Sequence, residues 1–409
     1  MVANARRTIG TLTPVPVSRP ICAALLALAL LLAACGGGSD PTTDDAPQVG
    51  VKGEEEEATT DLGFPAFATK NTTRVGGADP IADAAAVARA VYPSVEQDQR
   101  PRAVALVDVD DWQAGVAAAA LFADPIGAPV LLSDSGELPG ATSGAIEALA
   151  PTGSKEVGNA QVIRVGDVPE VEGRETTDIT GKDGAELAAR IDATISSARG
   201  RTSDRVLVVA SERPELAVPA AGLAAKSGDP VLFTGKDALP AATKQALRRH
   251  EQPRIYVLGD EQVVSEKVFR ELRKLGTARR IEGTTDPVQN AIDFAKYADG
   301  TWGWNVRDPG HGLVFVNASR PMDAVAAAPL SATGTYGPLL LHTGKPELDR
   351  RLESYLLDIQ PGYDRDPVRG VYNHGWIIGD EKAMPIAVQS RIDALLEITK
   401  VQNDAEPSS

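Results

Sequence analysis

Gly127-Ala128-Pro129-Val130-Leu131-Leu132, Gly228-Asp229-Pro230-Val231-Leu232-Phe233 and Gly337-Pro338-Leu339-Leu340-Leu341 are three versions of one string. Their prolines, Pro129, Pro230 and Pro338, stand 101 and 108 residues apart. Each string opens on Gly and Pro and runs on without a polar break. A short continuous apolar run bounded by such residues predicts a strand buried on both faces, as in a parallel sheet covered by helices. Proline suits the first residue of such a strand, where its missing N–H is not needed.

Other features recur in register with these strings. Upstream lie the apolar runs Ala103–Val107, Val206–Val209 and Leu313–Val316, each leading through a polar turn into an Ala-rich helical pattern, Ala114–Phe122, Leu216–Ala225 and Asp323–Leu330. Downstream lie Val162–Asp167, Ile255–Asp260 and Ile377–Asp380, each ending in Gly-Asp. Upstream of all three sits a Gly-containing turn closing on an aspartate: Arg74 to Asp79, Ile179 to Asp183 and Ile281 to Asp286. Asp79, Asp183 and Asp286 each precede a helical stretch, where a carboxylate caps orphan backbone N–H groups. One unit therefore reads turn–helix–strand–helix–strand–helix–strand. The fold class is α/β, three tandem Rossmann-like three-layer units with parallel sheets, over residues 72–173, 174–280 and 281–400. The third carries an insertion around Pro361–Pro367, and a polar tail follows over 401–409.

Ahead of the repeats, Arg6, Arg7 and Arg19 form a basic stretch and Ile21–Leu32 an Ala/Leu run of about twelve residues, the length of a signal-peptide core rather than of a spanning helix. The run ends in Leu32-Ala33-Ala34-Cys35 and Gly36-Gly37-Gly38-Ser39, which resembles a bacterial lipobox. The expectation is a signal peptide over 1–34 and a diacylglycerol on Cys35, with acyl chains that hold the protein on the membrane at the extracytoplasmic face. Residues 35–71, with the Glu54–Glu57 block, read as a solvated, disordered acidic linker.

The 409 residues carry 41 basic and 56 acidic side chains, a net charge of −15, which excludes a nucleic-acid partner held by phosphate contacts. Removing the leader leaves one cysteine, Cys35, so neither an internal disulfide nor a cysteine zinc cluster is available. There is no Gly-x-Ser-x-Gly elbow, P-loop or His-Glu-x-x-His. The expectation is a protein that is not an enzyme and needs no cofactor or metal.

The repeats resemble the cell wall-binding repeat 2 family over about Thr72 to Ile398. Arg74-Val75-Gly76-Gly77-Ala78-Asp79 matches the opening of the family pattern, although Pro80, Gly184 and Pro287 stand where the family has an arginine. Asp323-Ala324-Val325-Ala326-Ala327-Ala328-Pro329, Leu138-Pro139, Leu239-Pro240 and Ile255-Tyr256-Val257-Leu258-Gly259 match later parts. The resemblance implies a pseudo-threefold arrangement within a monomer and non-covalent attachment to an anionic cell-wall glycopolymer. Residues 72–409 hold 36 basic and 48 acidic side chains, so an anionic polymer needs a local basic cleft here. An envelope scaffold that binds another protein is the alternative, and a small-molecule-binding or hydrolytic lipoprotein a third.

Open α/β sheets place ligands outside the strand C-termini. That rule nominates Asp111, Glu212, Asn317, Ser319 and Arg320 for binding, together with Arg74 at the head of the first unit. Asp108, Asp110 and Asp111 pose a cation site against a solvated loop. Trp302, Trp304 and Trp376, with Tyr363 and Tyr372, pose a sugar platform against ordinary packing. His311, His342 and His374 lie near strand ends in the third unit, without metal-binding spacing.

Overall fold

The computed structural model describes residues 66–401, Ser135 and Glu282 excepted. The leader, Cys35, most of the linker and the tail beyond Val401 lie outside the described residues. No helix among the described residues is long and apolar enough to cross a membrane.

Three parallel sheets share one strand order. In the first unit it runs Val130–Ser133, Val104–Asp108, Val162–Val165, Thr176–Ile179. In the second it runs Val231–Thr234, Arg205–Ala210, Arg254–Leu258, Thr277–Ile281. In the third it runs Leu339–His342, Gly312–Asn317, His374–Ile378, Thr72–Val75, with Ala66–Ala68 added antiparallel at the edge. The strings that open the sequence reading are the first strand in each order. Pro129, Pro230 and Pro338 stand just before them, and their carbonyls accept from Ala105, Leu207 and Val314 on the neighbouring strand at 2.9, 2.9 and 3.1 Å. The proline starts the ladder with the one backbone group it has.

The heads of the units differ from the sequence reading. They are strands before they are turns, and each strand completes the sheet of the unit before it. Thr176–Ile179 joins the first sheet, Thr277–Ile281 the second, and Thr72–Val75 the third, with Val75 opposite Ile378 and Thr72 opposite Gly375. The helix that follows each head strand turns back onto its own unit. Pro80–Val91 packs on Val130–Ser133, Gly184–Arg199 on Val231–Thr234 and Pro287–Lys296 on Leu339–His342. Each head is thus a stitch between two sheets, and the first head stitches the third unit to the start of the repeats. Thr176–Ile179 and Thr277–Ile281 are edge strands that alternate between exposed and buried residues, so their polar content hides them from an apolar-run reading.

Asp79, Asp183 and Asp286 cap these three helices, accepting from Ala82, Glu186 and Gln289 at 2.9, 2.8 and 3.0 Å. The Ala-rich helices after the second strands are buried on all sides. They meet one another across the units, which is why they are built of Ala rather than of one apolar stripe. Gly115 marks a close approach. A methyl group there would lie 3.0 Å from Val325 Cγ2 and 3.1 Å from Met322 Cε, both on the third unit. A continuous apolar cluster runs from Val75 to Leu396 through all three units, and a smaller one around Leu106, Leu131 and Ile146 fills the other face of the first sheet.

The insertion in the third unit is held in place by Asn373. Its Oδ1 accepts from the N–H groups of Gly310 and His311 at 2.8 and 3.1 Å, and its Nδ2 donates to the Ile359 carbonyl at 2.8 Å. Gly362–Tyr363 pairs in parallel with Thr399–Lys400, so the insertion is clipped to the end of the described chain.

Candidate functional site

The turns after the strand C-termini are occupied by their own side chains. Asp111 caps Trp112–Ala118, accepting from Ala114 N at 2.9 Å. Asp108 Oδ1 accepts from Asp110 N at 2.7 Å, so two of the three carboxylates of the posed cation site serve the backbone. Asn317 is buried; its Nδ2 donates to the Ala383 carbonyl at 2.8 Å, and its Oδ1 accepts from Ser319 N and Oγ at 3.0 and 2.8 Å. Arg320 points inward, its Nε 2.7 Å from Asp323 Oδ2. Glu212 is exposed at the matching turn of the second unit.

Arg74 is a clamp within the fold. It is 8% exposed, and its guanidinium donates to Gln389 Oε1 at 2.9 Å and to the carbonyls of Gly379, Asp380 and Met384 at 2.8, 2.9 and 2.7 Å. Arg280 does the same in the second sheet, donating to the carbonyls of Gly259 and Val264 at 2.8 and 3.0 Å. In the first sheet the charges are exchanged. Asp178 occupies the head strand and pairs with Arg164 on the neighbouring strand at 2.7 Å. The head arginine fixes the loop that follows Gly-Asp in the second and third sheets, and Arg74, Asp111, Asn317, Ser319 and Arg320 are each engaged by partners within the fold.

Of the aromatic residues, Trp302 and Trp304 pack inward, Trp376 and Tyr363 are half-buried and Tyr372 is exposed. Trp302 stacks on Tyr256 with centroids 3.7 Å apart and donates Nε1–H to Asp229 Oδ2 at 2.8 Å. Trp304 is 5% exposed, and Trp376 lies against His374.

Open grooves lie at the other end of the strands. Three meet around the Asp124-Pro125 loop, with volumes of about 600, 360 and 570 Å³. Their walls are the segments that enter the strands: Pro101-Arg102, Asp124-Pro125, Thr152–Glu156, Arg201–Arg205 and Ser227–Asp229. The middle groove touches all three units through Ala123, Ala225 and Ala332, where the central Ala-rich helices end. Helix C-termini favour cations, and cations are what stand there. Arg100, Arg102, Lys155, Arg199, Arg201, Arg205 and Lys226 line the grooves, against Asp98, Asp124, Glu156, Asp204 and Asp229. In a chain of net charge −15 this is a local basic excess.

The cations divide into two groups. Arg199 is structural: it donates to the carbonyls of Asp124, Ser227 and Gly228 and so ties the first unit to the second. Arg102 is paired with Asp124 at 3.0 Å. No ion pair holds Arg100, Lys155, Arg201 or Lys226 among the described residues. Lys226 lies 3.9 Å from the Tyr336 ring centroid and 5.4 Å from that of Trp304, and burial pulls its pKa below the usual lysine range.

Residues 179–269 match the family model of Cell wall binding domain 2, CWB2. The CWB2 segment begins at the last residue of the second unit's head strand and ends in helix Glu266–Leu272, and it contains Arg199, Arg201, Arg205 and Lys226. The family resemblance drawn from the repeats is thus shown on the middle unit. Solved structures that share the fold include two from one organism. Cwp6 from Clostridium difficile matches with a TM-score of 0.60 and 17% identity, over 81% of this chain and 50% of that one. Cwp8 from Clostridium difficile matches with a TM-score of 0.61 and 20% identity, over 84% of this chain and 54% of that one. The chain spans about half the length of each. No curated protein matches it in sequence.

Proposed function

We propose that this chain is a non-enzymatic cell-envelope protein that attaches non-covalently to an anionic cell-wall glycopolymer through the grooves at the strand N-termini. In this reading Cys35 carries a diacylglycerol that holds the chain to the outer face of the membrane. The chain is, in this reading, a monomer with internal pseudo-threefold packing, which the cycle of head strands supports. The observation that carries the reading is the coincidence of the CWB2 segment with the cations around the Asp124-Pro125 loop. Arg201 and Lys155 are exposed at the rim, and Lys226 and Arg100 lie deeper. This arrangement suits successive anionic groups on an extended polymer, because the association is then electrostatic and salt-sensitive.

Sedimentation of the soluble Cys35→Ser chain with purified cell wall tests the reading. Retention at low ionic strength that is lost in high salt, and lost when the anionic polymer is extracted from the wall, is the expected result. No retention at low salt would remove the polymer. A scaffold that binds another envelope protein is favoured by one observation. The third unit's insertion exposes Val368 at 82%, with Val371 and Tyr372 beside it.

A further inference from the structure

Two carboxylates are buried where the first unit's head closes on the third unit. Asp83, on helix Pro80–Val91, and Asp323, on helix Pro321–Ala327, are both 0% exposed. Arg320 stands between them, its Nε 2.7 Å from Asp323 Oδ2 and its Nη2 3.5 Å from Asp83 Oδ2. Asp83 Oδ1 accepts from Gly77 N at 2.6 Å. Apart from the ion pairs with Arg320, Asp83 Oδ2 and the two oxygens of Asp323 gain no well-aligned donor among the described residues. Two buried acids facing one guanidinium leave a surplus negative charge, and a buried unpaired charge costs several kcal/mol. The other charges facing the pair do not remove the surplus. Asp380, on the turn after His374–Ile378, adds a carboxylate 3.9 Å from Arg320 Nη1. Arg74, on the head strand, is spent on the carbonyls of Gly379 and Asp380.

The matching positions at the other two junctions carry no such pair. Four residues beyond the head aspartates stand Asp83, Leu187 and Asn290; three beyond the central-helix caps stand Asp323, Ala114 and Leu216. The first-to-second junction is apolar. At the second-to-third, Asn290, a neutral analogue of a protonated aspartate, donates Nδ2–H to the Leu216 carbonyl at 3.1 Å. Asp83 in its protonated form is the counterpart of Asn290: Oδ1 still accepts from Gly77, and Oδ2–H donates to Asp323. Gly76 is shaped to this arrangement, with φ of +128° and a would-be Cβ 2.2 Å from Asp83 Oδ1.

We propose that a single proton shared between Asp83 and Asp323 latches the first unit's head to the third unit, and that its loss to alkaline solvent loosens that closure. Proton transfer is the whole step: Asp83 Oδ2–H gives its proton to water and two carboxylates remain against Arg320. Burial first, then the charge of Asp323, pushes Asp83 up to about 8, against the pull of the Gly77 amide and Arg320. Burial likewise raises Asp323, to about 6, with Arg320 opposing. A carboxyl raised in the folded state contributes stability that is complete below its unfolded value, near pH 4, and is lost as pH rises through the folded value. The latch is therefore firm in acid and spent above about pH 8.

Amide hydrogen exchange of the intact chain tests this, corrected for intrinsic rates, on the wild type and Asp83→Asn. Protection of residues 72–91 is expected to fall about tenfold or more between about pH 6 and about pH 9 in the wild type and to stay level in the variant. Protection of Val231–Thr234 and Arg254–Leu258 should not follow that pattern. An equal pH dependence in both chains would overturn the proposal. Should Asp83→Asn not fold, the infrared spectrum of the wild type decides. A protonated-carboxyl band present near pH 6 and gone near pH 9 supports the latch, and its absence near pH 6 overturns it. Added calcium should leave protection unchanged; calcium-dependent protection would mean an ionised cation site and would also overturn it.

Discussion

Val75 and Ile378 face each other across a parallel ladder, although one ends the first strand of the first repeat and the other ends the last strand of the last sheet. The strand that opens the repeats is thus part of the structure that closes them. Arg74, one residue before Val75, bolts the joint by filling three backbone carbonyls and Gln389 Oε1.

Arg74→Ala should therefore act on stability. It strips partners from the buried carbonyls of Gly379, Asp380 and Met384, and a lost charge-assisted bond with an orphaned acceptor is worth about 2–4 kcal/mol in such a setting. Urea unfolding should show that loss, with wall retention per folded molecule unchanged. A stable Arg74→Ala chain that no longer binds wall would return Arg74 to the binding site.

Gly115→Ala probes the meeting of the central helices. A methyl group at 3.0 Å from Val325 and 3.1 Å from Met322 demands a shift in a filled core, at a cost of about 1–3 kcal/mol. The melting temperature should fall accordingly. An unchanged melting temperature would mean that the first and third units are less closely packed than described.

His250 gives a second pH-dependent term, away from the Asp83–Asp323 pair. Its Nδ1 faces the Ser203 carbonyl at 2.8 Å and its Nε2 faces Asp192 at 2.9 Å, and its side chain is fully enclosed. Burial opposes its charge, but the Asp192 hydrogen bond and charge outweigh burial and raise its pKa. A raised histidine stabilises fully below its unfolded value, near pH 6.5, and that contribution fades as pH climbs through the folded value. His250→Gln should cost more at about pH 5.5 than at about pH 9 in denaturant titrations at the two values. An equal cost at both would show that the imidazole stays neutral.

Much of this architecture is legible in the sequence, because the signals are local. Val104–Asp108 and Val130–Ser133 are continuous apolar runs, and Asp79 needs only the three residues after it to act as a cap. What escapes is set by distant partners. Thr176-Thr177-Asp178-Ile179 shows no apolar run because half of an edge strand faces solvent. Arg74 reads as a free cation because its acceptors lie at the far end of the chain. Asn317 and Arg320 occupy the place where open sheets usually hold ligands, but Ala383 and Asp323 have taken their hydrogen-bonding capacity. The cations around Asp124 are scattered through the segments that enter the strands, and only folding gathers them.

The account turns on which end of the strands meets the wall. Lys155→Glu/Arg201→Glu reverses two exposed charges at the groove rim, and Lys345→Glu/Lys382→Glu reverses two exposed charges at the opposite end with the same change in net charge. Retention on purified cell wall across a salt titration compares them directly. The groove variant should release at much lower salt than the wild type, with the opposite-end variant close to the wild type. Equal behaviour of the two variants, or earlier release of the opposite-end variant, would contradict the account.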